Sequence, residues 1–185
     1  MRIIAGELGG RRLRVPAKAT FRPTTDRVRE ALFSMLESRQ DWSMLRVCDL
    51  FAGSGSLGIE ALSRGVLHTV FVERDRRNTD LLRENLQMLG LEKCTEVVCA
   101  PAESWLSRAV ARFDLVFADP PYDYNKYFAL LSGISQLLSG PAALAVIEHR
   151  SDVVLPGVSG LTMDTARNYG STTLTFLRAD AGEME

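Results

Sequence analysis

The chain has 185 residues, of which 46% are hydrophobic, and its 22 basic and 23 acidic side chains leave a formal net charge of −1. This length predicts one domain that folds without disulfides or structural metal, and the composition is typical of a globular protein. No apolar run approaches the roughly 20 residues of a membrane-spanning helix, and the N-terminal segment lacks the apolar core of a secretory signal, so we expect a cytoplasmic protein with no membrane partner.

The N-terminal segment is strongly basic. Residues 1–29 contain eight basic side chains against Glu7 and Asp26, a charge of +6, which leaves −7 for the remaining 156 residues. Two short β-prone segments flank Gly9-Gly10 and predict a β-hairpin. A basic arm over residues 1–22, attached to a mildly acidic body, favours a polyanionic partner at one end of the protein.

A one-sided helix follows this arm. Thr24 or Thr25 can cap it directly after Pro23, and apolar residues then recur at helical spacing: Val28, Ala31, Leu32, Met35 and Leu36. Arg29 and its charged neighbours Arg27 and Glu30 lie off this stripe, so we expect them to face away from the core.

From about residue 45, short apolar runs alternate with amphipathic stretches. The predicted strands are residues 45–51, 68–73, 95–100, 113–118 and 142–149, and the predicted helices are residues 56–65, 75–90, 102–112 and 125–139. This alternation indicates an α/β protein whose parallel sheet is covered by helices on both faces.

The C-terminal part has a different pattern. Residues 161–177 predict two strands joined by a tight turn at 168–171, which would form an antiparallel edge of the sheet. We therefore expect one domain over residues 23–180, preceded by the basic arm and followed by a frayed tail at 181–185.

Three cysteines, Cys48, Cys94 and Cys99, are far apart and mostly beside apolar neighbours. We expect buried or half-buried free thiols of a reducing compartment. There is no C-x-x-C pair and only two distant histidines, which predicts no metal site. A Cys-His nucleophile pair stays open, although no nucleophile motif surrounds any of the three.

A glycine motif joins the first predicted strand to the next helix. Gly53, Gly55 and Gly58 form G-x-G-x-x-G, and Glu73 follows Gly53 by 20 residues at the end of the second strand. Taken alone, this pattern is the dinucleotide-binding fingerprint, in which Glu73 would accept hydrogen bonds from two ribose hydroxyls. Asp49, at the end of the first strand, suits a cation better than a pyrophosphate.

S-adenosylmethionine fits this combination, because it offers an amino group, a ribose and an adenine. Asp49 would hold the methionine amine directly or through water, and Glu73 would hold the ribose. The glycines would let the backbone approach the ligand without a Cβ atom in the way.

The sequence resembles the class I methyltransferases in two motifs: D-x-F-x-G-x-G at residues 49–55 and ADPPY at residues 118–122. The segments at residues 22–33 and 49–65 are similar to the bacterial small-subunit rRNA guanine-N2 methyltransferases of the RsmD type. This likeness covers essentially the whole chain. It implies a Rossmann-like methyltransferase fold with about seven strands, the last antiparallel, and an N-terminal β-hairpin extension.

The resemblance also implies the cofactor, the substrate and the site. The cofactor would be S-adenosylmethionine, and the partner would be small-subunit (16S) rRNA or a partly assembled 30S particle, bound by a monomer. The implied cofactor-binding residues are Asp49, Phe51, Gly53, Ser54, Gly55, Leu57, Glu73, Arg74, Ala102, Glu103 and Thr25. Pro101-Ala102 replaces the Asn or Asp followed by Ala that relatives often have, which moves adenine recognition to the backbone near Ala102 or to Glu103.

The ADPPY segment carries the acceptor chemistry. An exocyclic amine is a poor nucleophile because its lone pair is conjugated with the ring, so it must be held close to the methyl group and rehybridised. Asp119 and the carbonyl of Pro120 can accept its two N–H groups, and Pro120-Pro121 keeps the corner rigid. Tyr122 can stack on the base.

The substrate base would come from a loop or be flipped out of a helix. Basic side chains of the arm could then grip RNA phosphates in a salt-sensitive manner: Arg2, Arg11, Arg12, Arg14, Lys18 and Arg22.

Four alternatives compete with this interpretation. An adenine-N6 methyltransferase would use the same motifs, but the DNA enzymes usually carry a separate recognition region. A protein glutamine methyltransferase would more typically have Asn at position 119. A nicotinamide oxidoreductase would leave Asp49 and ADPPY without a role. The last is a non-enzymatic RNA-binding protein with a vestigial methyltransferase fold.

Overall fold

The computed structural model describes residues 1–15, 26–37 and 41–180. Its strands are β1 (Arg46–Leu50), β2 (His68–Glu73), β3 (Thr95–Cys99), β4 (Leu115–Ala118), β5 (Leu144–Arg150), β6 (Leu161–Tyr169) and β7 (Thr172–Ala179). Its α-helices are α1 (Asp26–Glu37), α2 (Ser56–Ser63), α3 (Arg76–Leu89), α4 (Ala102–Leu106) and α5 (Tyr127–Leu137).

The seven strands form one sheet in the order β3-β2-β1-β4-β5-β7-β6. The first five in this order run parallel, and β7 pairs antiparallel with both β5 and β6. The α/β fold and the antiparallel C-terminal strands are therefore confirmed. β7 is inserted between β5 and β6, so β6 is the edge strand.

Alternate strand residues face two separate apolar layers. Val47, Phe71 and Phe117 pack with α1, α2 and α3, whereas Cys48 and Val116 pack with α4 and α5. Side chains of a strand point alternately to opposite faces, so a strand covered on both sides needs a continuous apolar sequence. This is why β4 is apolar throughout and β1 contains only one buried polar residue, Asp49.

The predicted N-terminal hairpin is present and short. Its arms are joined by the Ile3 N–H to Arg11 carbonyl bond, 2.9 Å, the Gly10 N–H to Ile3 carbonyl bond, 2.9 Å, and the Leu13 N–H to Met1 carbonyl bond, 3.0 Å. Ile3 and Leu13 are buried in the same apolar layer as α1. The hairpin is thus packed against the domain.

Two predictions about the helices are wrong. Arg29 does not face away from the core but is fully buried, because α1 is turned towards the hairpin and the Arg29 guanidinium donates to the Arg2 carbonyl and to Asp26. Helix α4 ends at Leu106, although residues 102–112 were predicted to be helical. The chain leaves the helix early because it must return to β4, and just before that strand the Phe113 N–H donates to the Leu137 carbonyl at the end of α5, at 2.8 Å.

The three cysteines are free, and their burial differs. Cys48 is buried and Cys94 is half-buried, as predicted, but Cys99 is exposed because it ends β3, the other edge strand. The described ranges contain no helix long and apolar enough to cross a membrane, and in the same ranges no three metal-ligating side chains come together.

The remaining predictions lie outside the described residues. These are the helix cap at Thr24 or Thr25, the boundary between residues 22 and 23, and the tail at 181–185.

Candidate active site

Three acidic side chains meet at the carboxyl edge of the parallel strands. Asp49 is in β1, Glu73 ends β2, and Asp119 follows β4 directly. The registers Leu50↔Val72 and Leu50↔Ala118 align the ends of these strands. The strand order reverses between β1 and β4, and ligands of open α/β sheets bind at such a switch point.

Glu73 holds the glycine loop against the end of β2. One carboxylate oxygen accepts the Gly53 N–H at 2.9 Å, and the other accepts the Asp75 N–H at 2.8 Å. Each oxygen has a second lone pair, so both can still accept a hydrogen bond from a hydroxyl. Glu73 can therefore shape the loop and bind a ribose diol at the same time.

The loop between β1 and α2 has an unusual backbone. Phe51 is the one described non-glycine residue with positive φ, at 61°, and Gly53 and Gly55 have φ of 55° and 82°. A bulky residue in the left-handed region is strained, and such strain is typical of ligand-binding segments.

The three glycines have different roles. A Cβ atom at Gly55 would lie 2.4 Å from Leu82 Cδ1, and one at Gly58 would lie 2.3 Å from the Phe71 ring. These two glycines let α2 pack closely on its neighbours. At Gly53 the nearest described atom would be 4.0 Å away. Of the three, only Gly53 has open space at its Cβ position, and ligand approach to the glycine backbone stays a prediction.

Asp49 is almost fully buried, and one of its oxygens accepts the Gly58 N–H at 2.9 Å. Burial raises the pKa of Asp49 to about 7, with a further contribution from the charge of Glu73, while the Gly58 N–H opposes the shift. A buried carboxylate with a raised pKa gains free energy from a cationic partner. The second oxygen of Asp49 therefore suits an ammonium group.

The acceptor loop follows β4. Pro120 is buried, Asp119 and Pro121 are half-buried, and the Tyr122 side chain is 60% exposed. The Pro121 carbonyl accepts the Tyr124 N–H at 2.8 Å, which closes a turn directly after the two prolines. The loop thus combines a rigid corner with an exposed ring.

An aromatic chain links the two loops. Tyr124 makes edge-to-face contacts with Phe51, at a centroid distance of 5.3 Å, and with Tyr127, at 5.1 Å. The pKa of Tyr124 is raised, first by burial and then by the neighbouring Glu103 carboxylate. Tyr124 and Tyr127 were missed in the sequence, where their only signal is the aromatic spacing in YDYNKY.

The part of the site that follows β3 is formed by α4 and the residues before it. Ala102 is buried, Glu103 is half-buried beside Tyr124, and the Ala100 N–H donates to the Glu73 carbonyl at 3.0 Å. Pro101 is the N-cap residue that directly precedes this helix. The predicted adenine-side residues are therefore near Glu73 and Tyr124.

The other predicted cofactor residues are spread around the loop. Ser54 is nearly buried, and its carbonyl is 3.4 Å from Asn85 Nδ2. Leu57 packs into the apolar layer below α2. Arg74 is exposed at the end of β2. Thr25 lies outside the described residues.

The basic hairpin is attached to both α2 and α3. Glu60, which is 1% exposed, accepts the N–H groups of Ile4 and Ala5 at 2.7 and 3.0 Å. The side chain of buried Asn85 makes two hydrogen bonds with the backbone of Arg14: its Oδ1 accepts the Arg14 N–H and its Nδ2 donates to the Arg14 carbonyl, both at 2.9 Å. Asn85 was missed in the sequence, because a lone asparagine in a helix gives no signal.

Four of the predicted RNA-binding residues are exposed on this hairpin: Arg2, Arg11, Arg12 and Arg14. Arg2 is 3.9 Å from Asp26, and Arg14 pairs with Glu84 at 2.8 Å. With the described residues, Arg11 and Arg12 make no ion pair. Lys18 and Arg22 lie outside the described residues.

Comparison with known proteins places this chain among methyltransferases. A family model described as Conserved hypothetical protein 95 matches residues 1–178. The Bacillus subtilis protein YlbH, provisionally named an rRNA methyltransferase, is 43% identical over 184 residues, which cover 96% of this chain and 98% of YlbH.

A relative and a solved structure from Escherichia coli are also similar. Ribosomal RNA small subunit methyltransferase D of strain K12 is 43% identical over 123 residues, which span 66% of this chain and 60% of that protein. The solved structure of YhhF, provisionally named a methyltransferase, superimposes with a TM-score of 0.85 at 31% identity and covers 98% of both chains.

Proposed function

The chain belongs to the RsmD family of class I methyltransferases, and on that premise we propose that it transfers a methyl group from S-adenosylmethionine to the exocyclic N2 amine of a guanine in small-subunit rRNA. The observation that carries this proposal is the meeting of the glycine loop with Asp119-Pro120-Pro121-Tyr122 at the switch point between β1 and β4. A donor and an acceptor bound at this edge would lie side by side.

The residues around the glycine loop fit the cofactor. The free oxygen of Asp49 binds the ammonium group, Glu73 accepts from the ribose hydroxyls, and Gly53 admits the ligand to the backbone. When bound, S-adenosylmethionine supplies a methyl group on a sulfonium, which is transferred by in-line displacement.

The acceptor loop positions the amine. A carboxylate oxygen of Asp119 and the Pro120 carbonyl accept its two N–H groups, which holds the nitrogen at the end of β4 and favours the tetrahedral geometry of attack. After transfer, the charged nitrogen loses one proton, and Asp119 can receive it. The exposed ring of Tyr122 stacks on the base that carries the amine.

The contact between Phe51 and Tyr124 joins the cofactor loop to the acceptor loop. In the proposed reaction, these two rings would limit the access of water between the two halves of the site. Methyl transfer needs no water, and a dry contact brings the reacting atoms together without competing solvation.

The hairpin supports RNA as the substrate class. Arg11 and Arg12 extend into solvent from a hairpin that is packed on the domain core, and an exposed basic surface favours a nucleic acid held by its phosphates. The chain offers little surface for reading sequence, so we infer that a monomer acts on a partly assembled 30S particle, where bound proteins present the target.

The test supplies labelled S-adenosylmethionine together with one of four acceptors: naked 16S rRNA, small subunits lacking this modification, duplex DNA, or a ribosomal protein mixture. Nucleosides are then separated after complete digestion. N2-methylguanine in rRNA is the expected product. N6-methyladenine or label in protein would overturn the guanine assignment, and RNA binding without any label would support a vestigial site.

A further inference from the structure

Arg150, at the end of β5, lies over the ring of Tyr122. Its guanidinium carbon is 4.9 Å from the ring centroid, within the distance of a cation–π contact. Strands β4 and β5 are neighbours, and the register Ala118↔Ile147 brings their carboxyl ends together. The contact therefore lies at the same sheet edge as the acceptor loop.

A second residue holds Arg150 in this place. Arg150 Nε donates to Asp152 Oδ1 at 2.7 Å, and Nη2 pairs with Oδ2. The loop that carries Asp152 is anchored in turn, because the Ser151 N–H donates to the Ser171 carbonyl at 2.9 Å and the Ser151 hydroxyl donates to the Gly170 carbonyl at 3.1 Å. The guanidinium is thus fixed by the β6–β7 turn.

The same cluster reaches the acceptor carboxylate. Tyr127 is buried beside these groups, and its pKa is raised, first by burial and then by the charge of Asp119, while Arg150 lowers it and Asp152 raises it. Tyr127 therefore lies within electrostatic range of all three charged side chains.

We propose that Arg150 is a positioning residue that braces one face of Tyr122, so that the opposite face receives the substrate base. This proposal rests on the proposed function, in which Tyr122 stacks on a guanine. Tyr122 is 60% exposed, so without this contact the entropy cost of ordering its ring would oppose base stacking. The bidentate pair with Asp152 occupies one side of the guanidinium, which disfavours bidentate binding of a phosphate by that side.

The proposal predicts a separation of RNA affinity from turnover. Stacking acts only after the base enters the pocket, so Arg150→Ala should lower kcat about tenfold and leave the RNA dissociation constant within about twofold. Arg150→Lys keeps the cation and should restore kcat to within about threefold of wild type. Arg167→Ala is the matched control, since Arg167 is an exposed arginine on β6 whose described bonds are to Thr165 and the Ala166 carbonyl.

A double-mutant cycle makes the assignment specific. If Arg150 acts through Tyr122, adding Arg150→Ala to Tyr122→Ala should cause no further loss of kcat. If Arg150 instead bound an RNA phosphate, the two losses of kcat would add and the RNA dissociation constant of Arg150→Ala would rise. The number of ions released on RNA binding, measured from the salt dependence, would fall by about one. Additive losses or an unchanged kcat would overturn the proposal.

A measurement without RNA separates this proposal from the proposed function. With 3-fluorotyrosine incorporated, the ¹⁹F resonance of Tyr122, assigned by Tyr122→Phe, should shift in Arg150→Ala and stay in place in Arg167→Ala. An unmoved resonance would overturn the bracing contact, whatever the enzyme methylates. If the resonance shifts but the wild-type protein forms no N2-methylguanine, the proposed function is wrong and the contact between Arg150 and Tyr122 is confirmed.

Discussion

The Asp49 carboxylate accepts a hydrogen bond of 2.9 Å from the backbone N–H of Gly58, in the first turn of α2. This bond fixes the start of α2, which directly follows the glycine loop, and it occupies one of the two carboxylate oxygens. The other oxygen is left for a ligand, in a position where burial raises the pKa of Asp49 to about 7.

The first prediction concerns stability and pH. The pKa of Asp49 is raised from the ordinary aspartate value of 3.8 to about 7 in the folded chain. At a pH between these two pKa values, Asp49 is protonated in the folded state and ionised in the unfolded state. Stability from this group is therefore greatest at low pH and falls as the pH rises towards 7. Between pH 5 and 7, the free energy of unfolding of wild type should fall relative to Asp49→Asn by about 1.4 kcal/mol per pH unit. Urea titrations measure the difference.

Ligand binding provides the complementary test of Asp49. An ammonium group favours the ionised carboxylate, so affinity for S-adenosylhomocysteine should increase from pH 5.5 to 7 in wild type and stay flat in Asp49→Asn. Calorimetry at several pH values would show this. Equal pH profiles for the two proteins would contradict the assignment of Asp49 to the amine.

The second prediction separates the glycines. Gly58→Ala places a Cβ atom 2.3 Å from the Phe71 ring, so it should lower the free energy of unfolding by about 1–3 kcal/mol. Gly53→Ala has open space but a φ of 55°, which should cost about 1 kcal/mol and, in addition, weaken S-adenosylhomocysteine binding. Denaturation and calorimetry on both variants check this. A Gly53→Ala protein with wild-type affinity would mean that the ligand does not approach this residue.

The third prediction concerns Asp119. Asp119→Ala should abolish detectable methyl transfer and leave S-adenosylhomocysteine affinity within a few-fold, because the side chain belongs to the acceptor loop after β4. Single-turnover assays and calorimetry measure the two effects. Glu96→Ala, an exposed carboxylate on the β3 edge, is a control for loss of charge. Loss of cofactor affinity would place Asp119 in the cofactor pocket instead.

The fourth prediction concerns the hairpin. Arg11→Ala and Arg12→Ala should each weaken rRNA binding and leave kcat unchanged. Each should also lower the number of ions released on binding, measured from the salt dependence of the affinity, by about one. Arg14→Ala should have a smaller effect, because Arg14 is paired with Glu84. Binding titrations at several salt concentrations test this. An unchanged slope would make these arginines ordinary surface residues.

The fifth prediction concerns the attachment of the hairpin. Glu60→Ala leaves two backbone N–H groups and the Arg64 guanidinium without their buried acceptor, so the free energy of unfolding should fall by about 3–5 kcal/mol. Glu84→Ala removes an exposed ion pair and should cost at most about 1 kcal/mol. Chemical denaturation compares the two. Similar losses would show that Glu60 does not anchor the hairpin.

Much of the fold follows from local patterns. A strand covered on both faces must be apolar throughout, so the runs that became β1 to β5 were recognisable without knowledge of their partners. The glycine motif with Glu73, and the segment around Asp119, were also visible, because cofactor and acceptor chemistry requires specific residue types at short spacing.

Other features depend on partners that are distant in the sequence. Arg29 is off the apolar stripe of α1 and is buried all the same, because its acceptor is the backbone of a hairpin 27 residues earlier. Gly55 and Gly58 match a ligand-binding motif, but their neighbours Leu82 and Phe71 decide that they serve packing.

The sequence alone therefore determined the α/β class, which rests on periodicity within short segments, and it predicts the cofactor loop and, through the family resemblance, the acceptor motif. Only the tertiary structure decided that Arg150 covers Tyr122 and that Asn85 joins Arg14 to Ser54. The first contact forms where neighbouring strands end and the second where the hairpin packs on α3, and a one-dimensional pattern carries no information about which distant segments will meet.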